Sequence, residues 1–170
     1  MAAERLQGLP PVVSEGTRAL ILGSFPGGMS LAQRQYYAYP RNHFWPLLAV
    51  LWPQYPQYPQ PADYAGRCAW LLARGLGLWD VYASCEREGS LDSNIRHAQL
   101  NDFAALRAHS PQLRGALHNG GESFRHAKAV RAVLGLPAWR LPSTSPANAS
   151  WSFERKLAGW REVLAELRLL

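Results

Sequence analysis

Four short apolar runs recur along this chain, and helix-compatible segments separate them. The runs are RALILG (18–23), LGLWDVYA (76–83), LRGALHNGG (113–121) and a short AWRL that leads into PSTSPANAS (138–150). Unbroken apolar character over so few residues is what a strand shows when both of its faces are covered, as in a parallel sheet. The intervening segments carry helical periodicity. In NHFWPLLAVLW, Phe44, Leu47, Leu48 and Leu51 share a face, with Pro46 in the first turn where its missing N–H is harmless. ADYAGRCAWLLARGL closes on Gly75 and Gly77, DFAALRAH follows Asn101 as a candidate N-cap, and ESFRHAKAVRAVL follows the Gly pair. The closing segment, WSFERKLAGWREVLAELRLL, sets Phe153, Leu157, Trp160, Leu164 and Leu167 on one stripe.

This alternation predicts the α/β class: a three-layer α/β/α sandwich around a small parallel sheet of about four strands, in one domain spanning residues 1–170. PQYPQYPQP (53–61) reads as a surface connection and CEREGSLDSNIRHAQL (85–100) as a polar loop. In sheets of this type ligands bind beyond the carboxyl ends of the strands. Four stretches meet that condition: GSFPGG, the residues around Asp80, HNGG, and PSTSPANAS.

Composition narrows the function classes. A hydrophobic share of 48% with 7 Trp and 7 Tyr argues for a packed core, and no apolar run approaches the ~18 residues of a membrane span. MAAERLQGLPPVV holds no continuous apolar stretch, so a secretory signal is not expected and a cytoplasmic, soluble protein is. Cys68 and Cys85 are too few for a disulfide framework or a four-thiolate cluster and read as core thiols. The formal charge is +6, and apart from Lys128 and Lys156 every cation is Arg, whose planar fork suits phosphate. A basic but inert surface would give the same charge.

Several chemistries are excluded by the residues. Gly23–Ser30 has the spacing of a phosphate-binding loop, but Met29 replaces the lysine and Pro26 removes a backbone donor. Phe25 stands where a dinucleotide fingerprint needs glycine. The five histidines show no metal-ligand spacing, and Ser24, Ser143 and Ser145 lie in no nucleophile elbow, so neither metal nor cofactor is expected. What remains is an aromatic and amide content in the first loop. Tyr36 and Tyr37 offer faces on which a base can stack, and Asn42 offers an amide able to hold a water. Equally, the tyrosines can be core and Asn42 a helix cap.

The order of these pieces resembles the uracil-DNA glycosylase superfamily. Gly23-Ser24-Phe25-Pro26-Gly27, then Tyr37, then Pro40-Arg41-Asn42-His43-Phe44-Trp45 is similar to the first motif of its mismatch-specific branch. Pro142-Ser143-Thr144-Ser145-Pro146 resembles the second, a loop that presses into DNA beside a flipped nucleotide. With LWDV and GSLDSNI in between, the combination is most similar to the hypoxanthine-DNA glycosylases. Two positions depart from the wider superfamily: Phe25 replaces an Asp or Asn that handles water, and Leu141 replaces the histidine of the uracil branch.

The resemblance implies a monofunctional DNA repair glycosylase that flips out a deaminated base, most of all hypoxanthine, and hydrolyses its glycosidic bond. Asn42 inherits the catalytic role. Gly23, Ser24 and Phe25 form the pocket floor, Tyr37 stacks on the base, and Asp80 tests its edge or merely caps a loop. Arg41 and the wedge residues Ser143, Thr144, Ser145 and Pro146 contact DNA. The partner is duplex DNA with a deaminated base, the protein a monomer off the membrane. A non-catalytic binder of damaged or single-stranded DNA, or a glycosylase for uracil or xanthine, are the alternatives.

Overall fold

The computed structural model describes residues 4–56 and 63–170, so part of the Pro/Gln/Tyr connection lies outside the described residues. In chain order the strands and helices are β1 (Arg5–Gln7), β2 (Ala19–Gly23), α1 (Gly28–Gln33), α2 (Phe44–Leu51), α3 (Tyr64–Ala73), β3 (Leu76–Asp80), β4 (Tyr82–Glu86), β5 (Arg96–Leu100), α4 (Phe103–His109), β6 (Gly115–Asn119), α5 (Gly121–Phe124), α6 (Ala127–Leu134), β7 (Ala138–Leu141) and α7 (Phe153–Glu166).

The central sheet is parallel throughout, in the order β3-β2-β6-β7. All five residues of β2 are buried, as expected of an inner strand covered on both faces. Its residues alternate between two cores. Ala19 and Ile21 join Phe44, Leu47 and Leu48 of α2, Trp70 and Leu71 of α3, and Trp160 and Leu164 of α7. Leu20 and Leu22 join Phe103 and Leu106 of α4, Val130 and Leu134 of α6, and Cys85 of β4. Each such Leu or Phe contributes about 1.5–3 kcal/mol by leaving water, so the sheet is held from both sides.

Register brings the strand ends level. Gly23 pairs with Asp80, and Asn119 with Leu141, while Leu22 stands opposite His118. The chain moves from β2 to β3 on one side and then across to β6 on the other. That reversal opens a crevice beyond the carboxyl ends of β2 and β6.

Several local expectations need correction. Residues 85–100 are not a polar loop: β4 and β5 flank a helical turn at Asp92–Asn94 and join β1 in a three-stranded antiparallel sheet. LGLWDVYA therefore divides at Val81, where the chain leaves one sheet for the other. The N-cap of α4 is Asp102, which accepts from Ala104 N, whereas Asn101 donates to the Asp80 carbonyl at 2.8 Å. GGMSLAQ forms α1, and ESFRHAKAVRAVL breaks into α5 and α6 at His126. Cys85 is buried but Cys68 only half so. Among the described residues no helix is long and apolar enough to cross a membrane.

Candidate active site

The ends of all four parallel strands, together with Ser90–Ser93, line one cavity of about 1180 Å³. Gly23, at the end of β2, is required by close approach: a Cβ there would collide with Asp80 Oδ1 and lie 3.4 Å from the Tyr37 hydroxyl. The turn that follows is held by the neighbouring segment. Ser24 Oγ donates to Asp92 Oδ1 at 2.6 Å, and Gly28 N donates to Ser90 Oγ at 2.9 Å. The buried Arg87 donates to the Pro26 carbonyl at 2.7 Å and sits over the buried Phe25 ring.

The two tyrosines divide their roles. Tyr36 is buried, with its hydroxyl donating toward the carbonyls of Leu9 and Pro10, so it belongs to the core. Tyr37 is half-buried in the cavity wall with φ 55°, a left-handed backbone that is uncommon for an aromatic residue. Its ring stacks on Phe44 with centroids 3.9 Å apart, and its hydroxyl accepts from Asn119 Nδ2 at 3.2 Å. Strain of this type persists only where surroundings impose it, and here they fix a ring beside the cavity.

Asn42 lies half-buried in the same wall, and its Oδ1 accepts from Phe44 N at 2.9 Å. The cap-like bond at the start of α2 is thus present, and it orients the amide with one oxygen engaged. Arg41 is exposed and outside the lining. Arg140 is a cation in the lining, and Trp151 closes the rim with the Arg155 guanidinium 3.9 Å from its ring centre.

Asp80 is 5% exposed, and its Oδ2 has no hydrogen-bond partner among the described residues. Burial, with the negative charge of Asp92 adding and Arg87 partly offsetting, pushes its carboxyl up to about 7. Burial also raises Asp92 above the usual carboxylate range. Asn119 is different. Its Nδ2 donates to Tyr37 and to Thr144 Oγ1 at 3.0 Å, and its Oδ1 accepts from Thr144 N at 3.0 Å. Thr144 is fully buried and anchors the 142–148 loop, leaving half-buried Ser143 and Ser145 and exposed Pro146 as its accessible part. Internal bonds from Ser145 N and Asn148 Nδ2 to Ser143, and from Ala147 N to Ser145 Oγ, shape that loop before any ligand arrives. Among the described residues no group of three or more His, Cys, Asp or Glu is placed to hold a metal.

The Uracil DNA glycosylase superfamily matches residues 10–168. The chain belongs to that superfamily. It is 38% identical over 157 residues to a protein of Methanosarcina barkeri named hypoxanthine DNA glycosylase, an alignment covering 92% of this chain and 96% of that one. A protein of the same name from Methanosarcina acetivorans is 36% identical with the same coverage. The solution NMR structure of a candidate uracil DNA glycosylase from Methanosarcina acetivorans superposes with a TM-score of 0.83, at 34% identity, covering 97% of this chain and 99% of that one. Within the superfamily frame, the α/β fold with its four-stranded parallel sheet stands as expected from the sequence.

The structure brings Gly23, Ser24, Phe25, Tyr37, Asn42, Asp80 and Ser143–Pro146 to one cavity and leaves Arg41 beside it. Sequence reasoning missed Ser90, Asp92, Arg140 and Trp151 as lining residues. For the first two the motif GSLDSNI was visible, but a loop reading gave no reason to place it against Gly23–Gly28. Arg140 and Trp151 carried no signal, since Arg140 lies at the end of a strand pattern and Trp151 in an apparent helix start.

Proposed function

We propose that this glycosylase removes hypoxanthine from deoxyinosine in duplex DNA by hydrolysis, acting as a monofunctional enzyme. A base stacked within a duplex cannot enter a cavity, so the nucleotide must swing out of the helix. The 142–148 loop stands at the cavity rim and is already shaped by its own hydrogen bonds, which suits it to fill the space the base leaves. Arg140 at the rim and the exposed Arg41 supply phosphate contacts, which position DNA without reading sequence.

Once inside, the base lies against Tyr37, whose other partner is Phe44. Asp80 meets the edge of the base. Hypoxanthine carries a proton on N1 that adenine lacks, and a carboxyl oxygen with no other partner accepts it; adenine would face that oxygen with a lone pair. Leaving the carboxyl unpaired otherwise is what makes the contact selective, because an analogue without the donor strands a buried acceptor.

Asn42 then holds the attacking water. An amide has no useful pKa and cannot act as a general base, but little proton removal is needed early if the C1′–N9 bond is largely broken in an oxocarbenium-like transition state. The C1′–N9 electron pair leaves with the purine, whose charge fixed donors around the cavity stabilise; the water oxygen bonds to C1′, and the proton it then sheds passes through solvent to the purine anion, giving an abasic hydroxyl and neutral free hypoxanthine. The observation that carries this reading is the unpartnered oxygen of Asp80, a residue that lines the same cavity as Tyr37 and Asn42. The relatives named hypoxanthine DNA glycosylase support the choice of base.

The test is incubation with duplex oligonucleotides bearing hypoxanthine, uracil or xanthine, followed by alkaline cleavage at abasic sites. Hypoxanthine excision in the presence of EDTA, exceeding uracil excision, is expected. Binding without any abasic product would make the protein a damage binder, and a preference for uracil or xanthine would move the substrate assignment within the superfamily.

A further inference from the structure

Helix α7 turns an apolar stripe inward, yet one of its inward positions is a lysine. Lys156 is 1% exposed, beside Trp160 and Leu164 on the buried side of the helix. No carboxylate forms an ion pair with it among the described residues. A buried ammonium without a counter-ion is costly, and methionine would fill similar space without that penalty. Stability alone therefore does not account for the residue.

Its hydrogen bonds do. Nζ lies 3.3 Å from His43 Nδ1 and donates to the Ser145 carbonyl at 3.2 Å. His43 follows Asn42, and its backbone N–H donates to the Thr144 carbonyl at 3.0 Å. The His43 ring also meets Phe153 edge-on, with centroids 5.2 Å apart. Lys156 thus stands behind the cavity, outside its lining, and joins the segment that carries Asn42 to the loop that carries Ser143–Pro146.

We propose that Lys156 is a positioning residue for base excision: its ammonium ties His43 to Ser145 and so sets the spacing between the Asn42 wall and the wedge loop. The inference rests on the reading of Asn42 as the water-holding group. An ammonium has donors and no acceptor, so His43 Nδ1 must accept and the ring proton must sit on Nε2. Burial does most to resist protonation of His43; of the two charges acting on it, both on α7, Lys156 adds to that resistance and Glu154 opposes it. The result is a neutral imidazole of one tautomer, held against the loop. Without the ammonium, Nδ1 and the Ser145 carbonyl lose a shared donor, and the loop can shift relative to Asn42. Displacements of about 1 Å can lower a rate ~100-fold while leaving affinity nearly intact.

The test combines nitrogen-15 NMR of the histidine rings with single-turnover excision for the wild type and Lys156→Met. In the wild type we expect His43 to be neutral with the proton on Nε2, and the Lys156 ammonium protons to exchange slowly. In Lys156→Met the His43 titration should move up toward the ordinary imidazole range, and excision should fall about ten- to a hundredfold with DNA affinity changed less than about twofold. A folded Lys156→Met protein with wild-type excision overturns the proposal, as does a His43 proton on Nδ1 in the wild type. A loss of DNA affinity equal to the loss of rate also overturns it, since that marks a general DNA contact. Should Lys156→Met fail to fold, the wild-type tautomer and ammonium exchange decide the matter alone. Wild-type protein that excises no deaminated base would refute the functional reading instead, and the NMR outcome would still decide whether the tie exists.

Discussion

Asp80 ends β3 and Asn119 ends β6, one on each side of β2, and both side chains border the same cavity. Asn119 is consumed by its own protein: both ends of its amide are bonded, to the Tyr37 hydroxyl and to the backbone and side chain of Thr144. Asp80 is the less accessible of the two, yet its Oδ2 bonds to nothing among the described residues and its carboxyl sits near 7. Two polar groups at the ends of the strands flanking β2 therefore differ in hydrogen-bond satisfaction. Asn119 spends its amide on the wall, whereas on the function proposed here Asp80 keeps an acceptor for the base, since a buried polar group without a partner calls for an explanation.

Asn42 combines the two situations, with Oδ1 engaged by Phe44 N in a residue that lines the cavity. It should give the largest effect. Asn42→Ala is expected to lower single-turnover excision by at least about 100-fold, the scale of a lost preorganised contact of ~3 kcal/mol. The lost cap bond should cost about 1 kcal/mol of stability as well. A variant that melts earlier but excises at the normal rate would place Asn42 with Asn119 as a structural amide. Asn42→Asp keeps the cap acceptor, so its activity separates the oxygen's contribution from that of the NH2 group.

Asp80→Asn should lose excision of hypoxanthine relative to wild type while gaining stability at alkaline pH. The folded carboxyl titrates near 7 against 3.8 for an ordinary one. Between those values the folded state holds a proton that the unfolded state has released, so stability falls as pH rises through that window. The neutral variant escapes this, so its melting temperature should exceed the wild type's at pH 8 and match it near pH 4. Equal melting at both pH values would show that Asp80 has a partner after all, and the contrast with Asn119 would collapse.

Asn119→Ala should do the opposite. It strands Thr144 N and the Thr144 hydroxyl in a buried place, for a loss of about 1–3 kcal/mol in denaturant unfolding. Unchanged stability would deny Asn119 its role as a strut. The smallest effect is reserved for Tyr37→Phe. The ring face remains, so binding of damaged DNA should hold, whereas Tyr37→Ala should weaken it by about 1–3 kcal/mol. Stability of Tyr37→Phe should drop by about 1 kcal/mol, because Asn119 Nδ2 loses the hydroxyl it donates to. Weakened DNA binding in Tyr37→Phe would give the hydroxyl, rather than the ring, the role at the base.

The parallel sheet was legible because burial on both faces leaves an unbroken apolar run, and RALILG could be little else. The loops at its carboxyl ends followed from the same pattern, and with them Gly23–Phe25, Asp80 and Ser143–Pro146 as cavity residues. The helical stripe of Phe153, Leu157, Trp160, Leu164 and Leu167 was equally plain, since all five pack in one core. The antiparallel sheet was hidden. β5 is exposed along its whole length, so it has no apolar alternation to betray it, and β4 continues β3 with only Val81 between. Its consequence for the site, Asp92 and Ser90 folded against Gly23–Gly28, was hidden with it.

Residue types alone determined which groups are present at the strand ends: one carboxyl, one amide, one tyrosine pair and one asparagine before Phe44. Which of them is free was decided only by contacts between segments distant in the chain. Asn119 meets Thr144 25 residues away and Tyr37 82 away, and Lys156 meets His43 113 away. Hydrogen-bond satisfaction is a property of neighbours in space, and local pattern carries no record of it. The sequence named Asp80 for the base edge and left Asn119 within HNGG at another strand end; tertiary structure shows the Asn119 amide bonded at both ends and Asp80 Oδ2 bonded to nothing among the described residues.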